Sequence, residues 1–283
     1  MSENTCPNRT DACGDCKGSG NCQDDSEKKI RSCLANVKHK VAIMSGKGGV
    51  GKSTVAVNLA IALAKQGKKV GLLDVDINGP SIPKMLGNVC ADVYSENGNL
   101  IPHETHGIKV VSIGYFLPNP DDAIILRGPA KNGVIQQFIS DVVWGELDYL
   151  FIDCPPGTGD EPLGICQRIP DPTGAIIVTT PQEVAANDVR KSLNFCLKLE
   201  FPILGIVENM SGFICPKCGE LTNIFAEGAG KKLAMEFNTL LLGQIPIDPI
   251  VCMGGDSGNP IAGEDTPSPI RDAFNSICEK LPQ

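Results

Sequence analysis

The chain has 283 residues, of which 42% are hydrophobic and 20% charged, so it can bury a full core as one large domain. Its formal net charge of −8 gives no support for wholesale binding to nucleic acid or anionic lipid. No apolar run approaches the roughly 20 residues of a membrane-spanning helix, and the first residues lack the features of a secretory signal. We therefore expect a cytoplasmic protein that binds neither membrane nor nucleic acid.

The first 38 residues are rich in Gly, Asp, Ser, Asn and Lys and have no hydrophobic period, so they cannot pack a core unaided. They contain four closely spaced cysteines, Cys6, Cys13, Cys16 and Cys22. Four thiolates in one flexible segment fit either zinc or a [4Fe–4S] cluster, and the spacing alone does not decide between them. We predict a flexible metal-binding segment at 1–38 and a separate domain at 39–283.

A glycine-rich loop follows the first predicted strand, which lies near residues 41–44, and precedes a predicted helix near 53–66. The loop consists of Gly46, Lys47, Gly48, Gly49, Val50, Gly51, Lys52, Ser53 and Thr54. Its glycines let backbone N–H groups converge on phosphates, Lys52 can reach the β- and γ-phosphates, and Ser53 can offer its hydroxyl to Mg²⁺. Strand, loop and helix thus predict a phosphate-binding loop (P-loop) for ATP and Mg²⁺.

From residue 40 onward, predicted strands alternate with amphipathic helices. The later strands lie near 70–73, 108–113, 149–152, 175–179, 203–207 and 241–244. The later helices lie near 131–141, 162–167, 185–199, 228–237 and 269–281. This alternation predicts an α/β fold with a mostly parallel sheet, helices on both faces, and a ligand at the carboxyl ends of the strands.

Acidic side chains end two of the predicted strands. We assign Asp76 to orient the attacking water and Asp74 to structural or Mg²⁺ support, with two solvated strand-end aspartates as the alternative. Asp153 matches a Walker B carboxylate, and Gly157 can donate its N–H near a γ-phosphate. A loop of the kind that follows Asp153 can change its contacts on hydrolysis and couple ATP to a remote site.

A second cysteine motif, formed by Cys215 and Cys218, follows the strand predicted near 203–207. Two thiolates at this spacing can bind one edge of a metal, whereas a closed tetrahedral site needs four donors. Two copies related by a twofold axis would supply four thiolates. The pair alone fits zinc about as well as iron–sulfur, and only its combination with the P-loop favours a [4Fe–4S] cluster shared in a dimer, with a zinc half-site or a redox dithiol as competing interpretations.

The combined pattern resembles the Mrp/NBP family of P-loop ATPases, which are iron–sulfur cluster carriers and scaffolds. The likeness runs from residue 38 to 249 and rests on the motifs at 46–54, 76–83, 127–129, 144–149, 153–158, 180–183 and 208–213. The N-terminal cysteines resemble the branch with an amino-terminal ferredoxin-like cluster. The gap of six residues between Cys6 and Cys13 is shorter than is usual in that branch.

This resemblance implies a deviant P-loop of the MinD, ParA and nitrogenase iron-protein type, in which Lys47 crosses a dimer interface to the partner's nucleotide. Lys47, Lys52 and Asp76 would then carry ATP hydrolysis, and Asn209 would contact adenine. It also implies a homodimer, or a heterodimer with a shorter paralogue. A labile bridging cluster on Cys215 and Cys218 would be handed to apo-proteins.

Two other functions fit an ATPase of this type. A positioning ATPase like MinD or ParA would bind membrane or DNA through a basic helix or patch, but residues 269–283 contain only Arg271 and Lys280 as cations. An ATP-driven electron carrier like the nitrogenase iron protein has its cluster cysteines far apart in sequence. Here the two cysteines are adjacent in one motif.

Overall fold

The computed structural model describes residues 21–89, 94–96, 98–117, 119, 122, 124, 127–215, 217–225, 227–265 and 268–283. The predicted ligands Cys6, Cys13 and Cys16 lie outside the described residues, and Cys22 is described only as part of the first helix. The metal site of the N-terminal segment therefore stays a prediction.

Strands and helices alternate along the described chain. The strands are β1 (Val37–Ser45), β2 (Val70–Asp74), β3 (Tyr94–Glu96), β4 (Asn99–Ile101), β5 (His103–Thr105), β6 (Ile108–Ser112), β7 (Leu147–Asp153), β8 (Gly174–Thr179), β9 (Ile203–Ile214), β10 (Leu221–Thr222) and β11 (Leu241–Ile247). The helices are α1 (Asn21–Cys33), α2 (Lys52–Lys65), α3 (Ile82–Met85), α4 (Gly128–Ser140), α5 (Asp160–Arg168), α6 (Glu183–Lys198), α7 (Ala229–Glu236), α8 (Pro249–Ser257) and α9 (Pro269–Glu279). Among the described residues, no helix has the length and apolarity needed to cross a bilayer.

One sheet organises these elements in the order β5-β6-β2-β7-β1-β8-β9-β11, and β10 pairs with the end of β9. The pairings from β6 to β11 are parallel, whereas β5 and β10 run antiparallel to their neighbours. The register places Asp153 beside Ile43 on one side and Asp74 on the other. The P-loop and the acidic strand ends therefore meet at one edge, as the predicted α/β fold requires.

Helices cover both faces of the sheet. Val41 and Ile43 of β1 pack on the face that carries α2 and α9, whereas Ala42 and Met44 pack on the face that carries α1, α4 and α6. This alternation follows from the two-residue period of a strand, and burial on both faces is typical of parallel sheets. The loops of the site thus begin from strands held firmly on both sides.

The folded domain begins earlier than the predicted boundary at residue 39. Helix α1 packs against α4, and Ile30, Leu34 and Val37 are buried. Only Ile30 lies within α1, whereas Leu34 follows the helix and Val37 begins β1, so these isolated apolar positions among charged residues form no helical pattern that the sequence could reveal. Residues 21–38 are therefore not an unpacked extension.

Strand β9 extends well beyond the predicted 203–207. It continues to Ile214, directly before the first cysteine of the second motif. Within it, Met210 and Gly212 adopt positive φ angles of 58° and 78°. Polar residues and this irregular backbone interrupt the apolar pattern, which is why the sequence predicted an earlier end. One continuous strand therefore leads to the cysteine pair.

Candidate functional site

The P-loop lines a cleft of about 210 Å³ at the carboxyl edge of the sheet. The lining residues are Ser45, Lys47, Gly48, Gly49, Val50, Gly51, Lys52, Ser53, Thr54, Asp76, Ser81, Met85 and Pro156. Gly49 and Gly51 have φ angles of 79° and 81°, a backbone conformation that favours glycine. The glycine positions predicted from the sequence are thus required by the shape of the loop.

Helix α2 starts at the floor of this cleft. Gly51 precedes it without a side-chain cap, and its first turn contains no acidic residue. The first N–H groups of a helix have no partner within the helix, and its dipole favours negative charge at this end. The cleft can therefore accept phosphate groups.

Asp153 holds two P-loop side chains by short hydrogen bonds. Lys52 Nζ donates to its Oδ1 at 2.7 Å, and Ser53 Oγ donates to its Oδ2 at 2.6 Å. Burial alone would lower the pKa of Lys52, but the charges of Asp153, Asp76 and Asp74 outweigh it, so the pKa is raised. Lys52 is thus a buried cation facing the cleft. The oxygens of Ser53 and Asp153 are the hard donors that Mg²⁺ prefers.

The two aspartates after β2 have different surroundings. Asp76 lines the cleft, and its Oδ2 lies 3.9 Å from Lys52 Nζ. Asp74 is fully buried, where it accepts hydrogen bonds from Ser112 Oγ at 2.8 Å and from the Asp76 N–H at 3.1 Å. Burial and the nearby Asp153 raise the pKa of Asp74 to about 8. Asp76 can therefore face a nucleotide, and Asp74 supports the turn from behind.

Lys131, which was not predicted from the sequence, connects the loop after β2 with the first turn of α5. Its Nζ donates to Asn78 Oδ1 at 2.6 Å and to Glu161 Oε1 at 2.8 Å. Burial is the main reason why the pKa of Asp76 is raised, and Glu161 adds to it. The Arg-Gly-Pro motif at 127–129, just before Lys131, was the only feature of the sequence that pointed to this part of the chain. One ammonium of α4 thus ties the loop after β2 to the start of α5.

Gly157 and Asn209 contact the backbone beside the cleft. The Gly157 N–H donates to the Ser45 carbonyl at 2.8 Å, so its donation to a phosphate would require the loop after Asp153 to rearrange. Asn209 is buried, and its Nδ2 donates to the Val50 carbonyl at 2.9 Å. The contact of Asn209 with adenine stays a prediction, while the observed bond joins β9 to the P-loop.

The cysteine pair lies in a hairpin between β9 and α7; we call residues 209–229 the cysteine hairpin. Strand β10 returns antiparallel to the end of β9, and the Cys215 N–H donates to the Glu220 carbonyl at 3.0 Å. Cys215 is half-buried and Cys218 is exposed. The backbone N–H groups of Cys218 and Lys217 lower the pKa of Cys215, which favours the thiolate that binds metal.

The two thiols of Cys215 and Cys218 can bind only one edge of a metal ion or cluster. Within the described part of the chain, no group of three or more His, Cys, Asp or Glu side chains is arranged to hold a metal ion. Completing a four-donor site on Cys215 and Cys218 therefore needs donors from elsewhere, which a second copy would provide. Lys47 is half-buried in the lining of the cleft, and its contact with a partner's nucleotide stays a prediction.

Known proteins share sequence and fold with this chain. Residues 36–282 match a ParA family model described as NUBPL iron-transfer P-loop NTPase. The chain belongs to this family. An iron–sulfur cluster carrier protein from Methanocaldococcus jannaschii is 53% identical over 276 residues, which are 95% of this chain and 94% of that protein. A cytosolic Fe–S cluster assembly factor NUBP2 homolog from Nematostella vectensis is 49% identical, over 88% of this chain and 94% of its own length.

Solved structures of P-loop NTPases have the same fold. A nucleotide-binding protein from Archaeoglobus fulgidus, in complex with ADP, is 43% identical with a TM-score of 0.74, covering 85% of this chain and 94% of that chain. The cell division ATPase MinD from Pyrococcus furiosus has a TM-score of 0.61 at 23% identity, covering 86% and 97% of the two chains, and shows the fold alone. The predicted fold and the predicted family are both confirmed.

Proposed function

We propose that this chain is an ATP-dependent iron–sulfur cluster carrier. Its cargo is a labile [4Fe–4S] cluster that bridges Cys215 and Cys218 of two copies and passes to apo-proteins. The observation that carries the proposal is that one strand, β9, contacts the P-loop through Asn209 and leads directly into the cysteine pair. The names of the relatives, iron–sulfur cluster carrier proteins at 46% to 53% identity, support the cargo.

The P-loop side chains divide the work of ATP hydrolysis in this proposal. Lys52 neutralises phosphate charge, Ser53 and Asp153 would hold Mg²⁺, and Asp76 orients the attacking water. Bound Mg²⁺ supplies charge neutralisation at the β- and γ-phosphate oxygens. Phosphoryl transfer depends on positioning and electrostatics more than on covalent chemistry. These side chains therefore provide the kinds of contact that ATP hydrolysis needs.

The proposed assembly is a homodimer, or a heterodimer with a shorter paralogue, closed by ATP through Lys47. The loop after Asp153 would transmit closure toward the cysteine hairpin by exchanging the Gly157–Ser45 contact for a phosphate contact. We further propose a cytoplasmic location and a second cluster on Cys6, Cys13, Cys16 and Cys22. Relatives named cytosolic assembly factors support the location.

Anaerobic reconstitution of Cys215→Ser/Cys218→Ser tests the cargo site. We expect the double variant to lose one [4Fe–4S] cluster per dimer, measured as iron and sulfide per protein, while its nucleotide affinity equals that of the cluster-free wild type. Cys252→Ser is the control because Cys252 is also exposed but lies on α8. A double variant that still bound the full complement of cluster would contradict the proposal.

A transfer assay then separates a carrier from an electron carrier. The reconstituted wild type is mixed with an apo-dehydratase that needs a [4Fe–4S] cluster, and recovery of dehydratase activity is followed over time. A carrier restores the activity and loses its own cluster. Retention of the cluster together with a reversible redox change would favour the electron carrier instead.

A further inference from the structure

Glu208 of β9 is a fully buried carboxylate that binds three different elements. Its Oε1 accepts hydrogen bonds from Ser211 Oγ and Gln244 Nε2, both at 2.7 Å, and its Oε2 accepts the Gly230 N–H at 2.6 Å. These donors lie on β9, β11 and α7. A buried carboxylate is costly without such partners, so each donor is held in a defined place.

These bonds hold the outgoing strand of the cysteine hairpin and the helix turn that directly follows the hairpin. Ser211 lies on the outgoing strand β9, and Gly230 lies in the first turn of α7. The start of α7 has no side-chain cap of its own, so Glu208 supplies an acceptor for this helix end. A Cβ at Gly230 would fall 2.9 Å from Glu208 Oε2, so glycine permits the close approach.

The same strand is fixed to the nucleotide loop one residue later. Asn209 Nδ2 donates to the Val50 carbonyl, and the approach is so close that a Cβ at Gly51 would fall 2.2 Å from this nitrogen. Asn209 therefore holds the Val50 peptide, which belongs to the loop that would take the phosphates. The contacts are contiguous from Val50 through Asn209 and Glu208 to Ser211 in the cysteine hairpin and to Gly230 just after it.

We propose that Glu208 is a positioning residue that fixes the cysteine hairpin against the P-loop, so that nucleotide binding changes the state of Cys215 and Cys218. The inference rests on the proposed function for the identity of the cargo, but the mechanical link needs no cluster. If nucleotide changes the affinity of the two cysteines for a metal or cluster, linkage requires that the bound metal or cluster change nucleotide affinity by the same factor.

The test measures the alkylation rate of Cys215 and Cys218 in cluster-free protein. Iodoacetamide labelling is followed by mass spectrometry of the peptide that contains both cysteines, with Mg²⁺ alone, with Mg·ADP and with Mg²⁺ plus a non-hydrolysable ATP analogue. We expect the wild-type rate to differ by about fivefold or more between nucleotide states. In Glu208→Gln the difference should fall below about twofold, although nucleotide still binds.

Matched variants separate this role from general destabilisation. Glu236→Gln removes another carboxylate next to the same region, because Glu236 on α7 pairs with Arg190 at 2.9 Å on the surface, and it should keep the wild-type rate ratio. Glu208→Gln/Gln244→Glu restores one carboxylate and one amide between β9 and β11. It should recover part of the difference in alkylation rate between nucleotide states. If Glu208→Gln fails to fold, Ser211→Ala tests the outgoing strand alone and should reduce the ratio.

A wild-type rate that is the same in every nucleotide state would overturn the inference. So would a folded Glu208→Gln that keeps the full ratio. Failure of the proposed function is a separate result, because it would be seen as wild-type protein that binds no cluster on Cys215 and Cys218. The alkylation experiment contains no cluster, so it can succeed or fail independently.

Discussion

At the scale of single residues, the buried contact between Lys52 and Asp153 supports both binding and folding. Lys52→Met would leave the Asp153 carboxylate buried without its cation, and we expect a loss of about 3 to 5 kcal/mol in the free energy of unfolding without nucleotide. Urea denaturation measures it. In Lys52→Met/Asp153→Asn no charge is left unpaired, so most of the loss should be recovered. A Lys52→Met variant as stable as the wild type would show that this buried pair does not stabilise the fold.

Asp74 makes stability depend on pH. Its folded pKa of about 8 lies above the ordinary aspartate pKa of 3.8, so between these two pH values the folded state binds more protons than the unfolded state. Stability from this group is therefore complete at low pH and is lost as pH rises through the folded pKa. Asp74→Asn removes this titration. The free energy of unfolding of Asp74→Asn, relative to the wild type, should rise by at least about 1 kcal/mol from pH 5 to pH 8.

Denaturation of both proteins at several pH values without Mg²⁺ or nucleotide provides the measurement for Asp74. Ser112→Ala serves as a control, because it removes one hydrogen bond to Asp74 but keeps the carboxyl group. A pH-independent difference between Asp74→Asn and the wild type would contradict the prediction.

The sequence reveals site residues that belong to a recognisable motif, including Asp153 at the end of an apolar strand, although its partners Lys52 and Ser53 lie about 100 positions away. The P-loop could be predicted because its glycines, Lys52 and Ser53 form one contiguous motif. Lys131 and Glu208 could not, because their roles depend on partners that the fold brings near. Lys131 reaches Asn78, which is 53 positions away, and Glu208 reaches Gly230, which is 22 positions away. The role of a buried charged side chain can be assigned only when the residues packed around it are known.

At the scale of elements, α9 covers the same face of the sheet as α2. It packs on α2 and β11, and Phe274 is its fully buried anchor. Phe274→Ala should cost about 3 to 5 kcal/mol through lost burial and a cavity. Because Phe274 does not line the cleft, nucleotide affinity of the folded protein should be unchanged.

Thermal and urea denaturation, together with titration of a fluorescent ADP analogue, check the prediction for Phe274. Met253→Ala is a suitable control because Met253 is 67% exposed on α8. A stability change no larger than that of the control would mean that α9 does not contribute to the core. A large loss of ADP affinity would mean that the helix influences the site.

Strands that are buried in the core were predictable from the sequence, whereas a helix without buried residues was not. The strands that became β1, β2, β7 and β8 are continuous apolar runs, so their positions were predicted within a few residues. Helix α8 was not predicted, and none of its residues is buried. Since no apolar stripe marks such a helix, its sequence does not differ from a loop.

At the scale of the whole molecule, the chain presents two incomplete sites. The cleft holds Lys47 without a described acidic partner for it, and the two thiols of Cys215 and Cys218 are too few for a closed four-donor metal site. A twofold axis would complete both sites, because each copy would offer its Lys47 to the partner's cleft and its two cysteines to a shared cluster. In the proposed function, nucleotide chemistry and cargo binding would therefore both depend on the oligomeric state.

Lys47→Gln separates nucleotide binding from dimerisation. Lys52, Ser53 and the loop backbone remain, so the variant should bind ADP as the wild type does. We expect it to stay monomeric with a non-hydrolysable ATP analogue, under conditions where the wild type dimerises, and to hydrolyse ATP at least about 100-fold more slowly, because a cation supplied by the partner is lost. Analytical ultracentrifugation measures the first effect and phosphate release the second. Lys198→Gln, an exposed lysine at the end of α6, is the control. Dimerisation of Lys47→Gln equal to the wild type would refute a role for this lysine across the interface, and a wild type that stays monomeric with ATP while transferring cluster would refute the bridged site itself.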